Sequence, residues 1–193
     1  RKVVATLPMT LIESMNLKAG DEWDAAIADD VTRAAKHDKA YRQAINRLNR
    51  RAYTAREMRR KLKKLEHDEA TIEYVVAKLT DLGLINDRQL GEAVLREMQR
   101  QKPAGPKLMR AKLFQKGVDR SMIDELVDNA TDAESQRDGA MSFAEKKLRS
   151  LQRFDAATKR RRLYGALARR GFNADVINDV MEQLRDELVD AHD

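Results

Sequence analysis

MRRKLKKLEHDEATIEYVV (58–76), MRAKLFQKGVDRSMIDELV (109–127) and LYGALARRGFNADVINDVM (163–181) are three copies of one pattern. Superimposed with offsets of 51 residues (58 to 109) and 54 (109 to 163), their apolar positions coincide without a gap. Met58, Met109 and Leu163 share one position, and Leu62, Leu113 and Leu167 another. Ile72, Ile123 and Ile177 form a third set, followed by Val75, Leu126, Val180 and then Val76, Val127, Met181. Within each copy, steps of three and four residues place these positions on one face of each helix. A period near 50 residues marks stacked units that share a core and predicts an extended binding surface.

Around this pattern each copy reads as three helices, A, B and C. Thr54-Ala-Arg-Glu57 has capping-box spacing and starts helix B of the first copy, with Met58, Leu62 and Leu65 as its stripe. Asp68, Asp119 and Asn173 stand where the C helices begin, and their side chains suit the free N–H groups of a helix start. Asp38 is read as the cap of the first A helix, whose buried face carries Tyr41, Ile45 and Leu48. Leu90, Val94, Leu95 and Met98 mark the second A helix, and Phe143, Lys147 and Leu148 the third. The KPAGPK segment (102–107) breaks the chain, and Pro106 opens the second B helix. Gly117 and Gly171 end B helices, and Gly83 ends the first C helix, where a left-handed residue is cheap. Glu66 occupies the equivalent turn of the first copy, so that turn is expected to differ.

Residues 1–37 lack the pattern and read as a small cap. Lys2 to Leu7 suits a short strand, Pro8 opens a helix through Leu11 and Met15, and Gly20 sits in a loop. Trp23, Ile27 and Val31 lie four apart on a second helix ending near Ala35. The expected organisation is an N-terminal extension (1–37) and three repeats (38–85, 86–131, 132–193), with an acidic, frayed tail from Asp186. The expected fold is all-α: an elongated stack of three tandem three-helix repeats.

Composition agrees with slender helices. Apolar residues make up 42% and charged residues 36%, too charged for one thick core, and aromatics are only 5%. There is no cysteine, so disulfides and thiolate metal sites are excluded. No apolar run approaches the roughly 18 residues that span a membrane. His37, His67 and His192 are dispersed, and neither GxxxxGK[ST] nor GxGxxG occurs. The chain is therefore read as a non-enzyme without cofactor or metal, acting in the cytoplasm.

The net charge is +6, which favours acidic partners, nucleic acid first. Sign also segregates by helix. Nine of the eighteen residues from Arg47 to Lys64 are basic, while Asp119 to Asp138 holds seven acidic residues and two basic. Arg56, Arg59, Arg60, Lys61, Lys63 and Lys64 surround the first B-helix stripe. Lys107, Arg110, Lys112 and Lys116 surround the second; Lys159, Arg160, Arg161, Arg162, Arg169 and Arg170 surround the third. Stacking would align them as a basic ridge for phosphates, opposed by an acidic ridge of C helices. The plainer alternative is that these charges only solvate thin helices, but that would mix signs. Helix B, turn and helix C also have helix-turn-helix spacing. The second helix of that motif must enter the major groove, and DRSMIDELVDNA (119–130) is net acidic, which argues against base reading.

LNRRAYTAREMRRKLKKL (48–65), LGLINDRQL (82–90) and GPKLMRAKLFQKGVDRSMIDELV (105–127) resemble the RecX family of bacterial recombination regulators. The resemblance covers about residues 38–184, and residues 1–37 are similar to an extension that some members carry. It implies a curved stack of three-helix repeats that lodges in the groove of the RecA filament on single-stranded DNA. There it would restrain filament growth, ATP hydrolysis, strand exchange and the co-protease activity behind the SOS response. It brings no catalytic motif. The expected partners are RecA and, weakly or through the filament, single-stranded DNA, with the protein a monomer away from membranes. Glu66 and the run Arg160-Arg161-Arg162 depart from the family pattern, the latter implying stronger phosphate affinity. The alternatives are a DNA- or RNA-binding helical protein that acts without RecA, and a scaffold for an unrelated protein.

Overall fold

Side-chain caps and prolines set the helix starts, and the computed structural model describes residues 6–189. In chain order the helices are α1 (Met9–Ser14), α2 (Ala25–Leu48), α3 (Ala55–Lys63), α4 (Glu69–Asp81), α5 (Asp87–Gln101) and α6 (Pro106–Lys116). They continue as α7 (Arg120–Ala130), α8 (Ala133–Arg149), α9 (Ala156–Arg169), α10 (Ala174–Gln183) and α11 (Arg185–Leu188). No strand occurs among the described residues. The strand expected over 2–7 falls mostly outside them, and Thr6 and Leu7 are irregular.

The chain divides into two compact units, Arg1–Asp87 and Arg88–Asp193. In the first, α2, α3 and α4 enclose a core of Ala40, Ala44, Tyr53, Met58, Leu62, Ile72, Val75, Val76, Leu79 and Ile85. The second unit holds two further cores. One is built on α5–α7 around Leu95, Met109, Leu113, Ile123, Leu126 and Val127. The other is built on α8–α11 around Ala140, Ala144, Leu148, Leu163, Leu167, Ile177 and Val180. All fifteen positions of the sequence repeat are buried, none more than 5% exposed. Full burial of such side chains stabilises by about 1.5–3 kcal/mol each.

Thr54, Asp68 and Asp119 cap as expected, accepting from the N–H groups of Glu57, Thr71 and Ser121 at 3.1, 2.9 and 3.0 Å. Asn173 stands at the start of α10 but makes no side-chain capping bond. Asp38 is not a cap. The two helices expected on either side of it are one, α2, which starts at Asp24, whose carboxylate accepts from Ile27 N–H. Asp38 lies within it and pairs with Arg42 one turn on, at 2.8 Å. Trp23, just before that cap, is 53% exposed.

The A helices pack through small residues that the apolar pattern did not single out. Ala40 and Ala44 are fully buried, whereas Tyr41, Ile45 and Leu48 only flank the core. Ala140 and Ala144 do the same on α8, with Phe143 partly buried beside them. Gly91 stands 51 residues after Ala40, and a Cβ there would lie 2.6 Å from Leu126. Close helix approach shapes this face, beside the expected Leu95 and Leu148, which are buried. Nor is Leu65 part of a buried stripe, being 36% exposed. At the other end of the chain, Asp186 to Leu188 belong to α11 and are not frayed, because Leu184 and Leu188 are each only 4% exposed.

The first B–C turn corrects the expectation for Glu66. Its φ is 62°, in the same left-handed region as Gly117 (86°) and Gly171 (82°). The hydrogen bonds match as well: His67 N–H to Leu62 C=O, Val118 to Leu113, and Phe172 to Leu167, at 3.4, 3.2 and 3.4 Å. The three turns are therefore one turn, held in the first repeat by a residue with a Cβ. Such strain amounts to about 1–2 kcal/mol, partly offset by the greater unfolded-state entropy of glycine. Glu66→Gly is expected to stabilise the first unit by about 1 kcal/mol, read as a higher urea midpoint.

Candidate functional site

The basic residues of the B helices do not form one class. Arg59 on α3 donates from Nε and Nη2 to both carboxylate oxygens of Glu73 on α4, at 2.7 and 2.9 Å. Arg110 on α6 reaches Asp124 and Asp128 on α7 at 3.0 and 2.6 Å. The expected opposition of basic and acidic ridges is thus, at these points, a contact between neighbouring helices of one repeat. The Arg59 hydrogen bonds hold the Glu73 carboxyl below its ordinary pKa. Exposed pairs of this kind contribute at most about 1 kcal/mol. Their larger effect is to neutralise both partners.

A second set of pairs joins A to C helices and was invisible to the B–C alignment. His37 on α2 stacks on Tyr74 of α4, with ring centroids 3.9 Å apart. Arg88, 51 residues later, pairs with Glu125, 51 residues after Tyr74, at 2.6 Å. In the third repeat Arg137 pairs with Asp179 at 3.3 Å. The A helices are offset by 49 residues there (88 to 137) against 54 for helices B and C (125 to 179), so the third repeat has five more residues between equivalent A and B positions. That insertion hides the correspondence from a single-offset comparison. The Arg88 hydrogen bond also holds Glu125 below its usual carboxylate range.

Arg170 is occupied differently. Its guanidinium donates to the carbonyls of Lys102 and Pro103, the latter at 2.9 Å from Nε. Beside it the backbones of two repeats bond directly: Gly105 N–H to Arg170 C=O at 2.9 Å and Lys107 N–H to Gly171 C=O at 3.2 Å. Helix α6 has no side-chain cap. Its unpaired N–H groups therefore meet the carbonyls left over at the end of α9, and each end satisfies the other. The approach needs glycines: a Cβ on Gly105 would lie 2.3 Å from Gly171 O, and one on Gly171 2.3 Å from Leu108 N. Arg162 lies over the Phe154 ring, 3.8 Å from its centroid, and Lys159 is buried.

What remains is a smaller set of solvent-facing cations. In the first unit these are Arg60, Lys63 and Lys64; in the second, Lys107, Lys112, Arg160, Arg161 and Arg169. None of these eight has an ion-pair partner among the described residues. Arg56 is also exposed, while Lys61 and Lys116 are half-buried. Arg56, Lys107 and Arg161 share one repeat position, so the three copies each present a cation at the start of helix B. No group of three His, Asp or Glu side chains able to hold a metal occurs among the described residues. His67 is instead bonded to Gln43 at 2.7 Å, and His192 lies outside the described residues. No described helix is long and apolar enough to cross a membrane.

Three family models match this chain in tandem: the first three-helix domain of RecX over 40–79, the second over 86–127 and the third over 134–181. The chain belongs to the RecX family. Regulatory protein RecX of Chlorobium phaeobacteroides (strain BS1) is 35% identical over 76% of the chain and 93% of that protein. Regulatory protein RecX of Bacillus cytotoxicus is 31% identical over 91% of the chain, which spans 64% of that relative's length. The crystal structure of RecX from Lactobacillus salivarius superposes with a TM-score of 0.70 at 29% identity, covering 78% of this chain and 97% of that one. A second RecX crystal structure gives a TM-score of 0.79 at 25% identity, covering 90% and 85%. Each RecX domain takes in one A, B and C helix: α2–α4, α5–α7 and α8–α10. The fold was thus legible in the repeat, and the family in the resemblance of segments 48–65, 82–90 and 105–127. Which RecX-domain cations face solvent without a partner was not, because pairing depends on residues 14 to 68 positions apart.

Proposed function

We propose that this RecX-family protein binds the RecA filament on single-stranded DNA and restrains its ATPase, strand-exchange and co-protease activities. The observation that carries the reading is the match of all three RecX domains in order, with relatives described as regulatory proteins. The protein acts as a monomer in the cytoplasm, without a cofactor. Its partner-facing residues are the solvent-facing B-helix cations, Arg60, Lys107 and Arg161 foremost, whose charge suits DNA phosphates along the filament. Arg59, Arg110 and Arg170 serve the fold first. The three repeats supply length, and the paired charges keep the C-helix carboxylates from repelling the phosphates.

The test is a titration into a RecA ATPase assay on single-stranded DNA, beside a titration onto bare DNA. Inhibition is expected well below the concentration that coats bare DNA. Tight bare-DNA binding with an unchanged ATPase rate sinks the reading and favours a nucleic-acid-binding protein that acts without RecA.

A further inference from the structure

The third repeat breaks a rule that the first two keep. Arg59 and Arg110 are equivalent positions on helix B, and Glu73 and Asp124 are their equivalents on helix C. Both pairs are closed by an ion pair. In the third repeat the same two positions are Tyr164 and Asn178, 54 residues after Arg110 and Asp124. No charge closes the groove there. It stays open as a depression of about 500 Å³ lined by Ala157, Arg160, Arg161, Tyr164, Asn178 and Met181.

The chemistry of that lining is specific. Tyr164 is 42% exposed, and Met181 is buried. Arg160 and Arg161 are exposed and have no ion-pair partner among the described residues. None of the six lining residues is a carboxylate. On α10, Asp179 pairs with Arg137 and Glu182 with Arg185, while Asp175, one turn before Asn178, is exposed and does not line the groove. An open aromatic face, two guanidinium groups and a carboxamide that both donates and accepts match the three parts of a nucleotide: base plane, phosphate and base edge.

We propose that the α9–α10 groove of the third repeat holds one nucleotide of single-stranded DNA. Its base stacks on Tyr164, its phosphate meets Arg160 and Arg161, and its edge bonds Asn178. Only a single strand qualifies, since duplex bases are already stacked and their faces hidden. The assignment rests on the single-strand contact in the proposed function and gives it a location.

The experiment uses the full chain and fluorescein-labelled oligo(dT), with an abasic oligonucleotide of equal length and charge as the comparison. Tyr164→Ala is expected to weaken oligo(dT) binding about tenfold and abasic binding by less than twofold. Tyr164→Phe keeps the stacking face and should stay within twofold of the parent. Arg161→Glu should weaken both ligands. Oligo(dT) carrying 5-iodouracil should photocrosslink to Tyr164. Equal losses on both ligands, or Tyr164→Ala binding like the parent, overturn the inference. So does competition by a poly-glutamate peptide at matched charge, which would assign the groove to acidic protein. Thermal melts of each variant establish that the fold is intact, as expected for a half-exposed ring. RecA inhibition is measured on the same variants. If the parent inhibits RecA while Tyr164→Ala leaves oligonucleotide binding untouched, the groove assignment fails and the filament reading stands.

Discussion

Gly171→Ala lowers the stability of the second unit by on the order of 3 kcal/mol. Two effects add. The residue has φ of 82°, where an L side chain is strained, and its new Cβ would sit 2.3 Å from Leu108 N and 2.7 Å from Leu108 Cβ. Those are backbone and near-backbone atoms, so the α6 start must move. That movement breaks the bonds Lys107 N–H to Gly171 C=O and Gly105 N–H to Arg170 C=O, which supply the missing cap of α6. Gly83→Ala is the control. It has φ of 68° but nothing within 4 Å of the added Cβ, so it reports backbone strain alone, about 1 kcal/mol. Urea unfolding of both variants separates the two effects. Equal losses would mean that the close approach contributes nothing.

Reversing Arg60, Lys107 and Arg161 together to Glu is the largest functional effect expected, a loss on the order of 100-fold in RecA-ATPase inhibition. The dependence of inhibition on salt should flatten at the same time, because fewer phosphate contacts release fewer counterions. Folding should survive, since all three side chains are exposed and none closes an ion pair. Arg59→Glu is the contrasting variant. It sets two carboxylates face to face at the Glu73 contact and removes a bidentate pair. A lower melting temperature is expected there, with a smaller effect on inhibition than the triple reversal. Should the triple variant inhibit RecA as well as the parent, the exposed cations are solvation only and the filament is held by other surfaces.

Segregation of charge by helix was legible in the sequence, but its meaning was not. Fifteen apolar positions in register identified the buried stripe of every B and C helix, because helical spacing is a local property. Basic B helices and acidic C helices read as two opposed ridges, or as plain solvation of thin helices. Their packing decides: Arg59 and Arg110 turn towards carboxylates, while Arg60, Lys107 and Arg161 do not. The A helices were harder still. Leu95 and Leu148 are buried as expected, but Ala40, Ala44, Ala140 and Ala144 are buried too, and alanine carries no periodic signal strong enough to mark a core.

The amino-acid sequence by itself determined the repeat, the helices and the buried faces of helices B and C, which follow from the order of neighbouring residues along a helix. The RecX family came from the resemblance of three longer segments, 48–65, 82–90 and 105–127. Only the tertiary structure decided which cations stay exposed and unpaired and that Glu66 turns like a glycine. Only it showed that Gly105 and Gly171 touch, and that the third repeat leaves Tyr164 in an open groove. Each of those depends on how closely two distant backbones approach, a distance that no local pattern encodes.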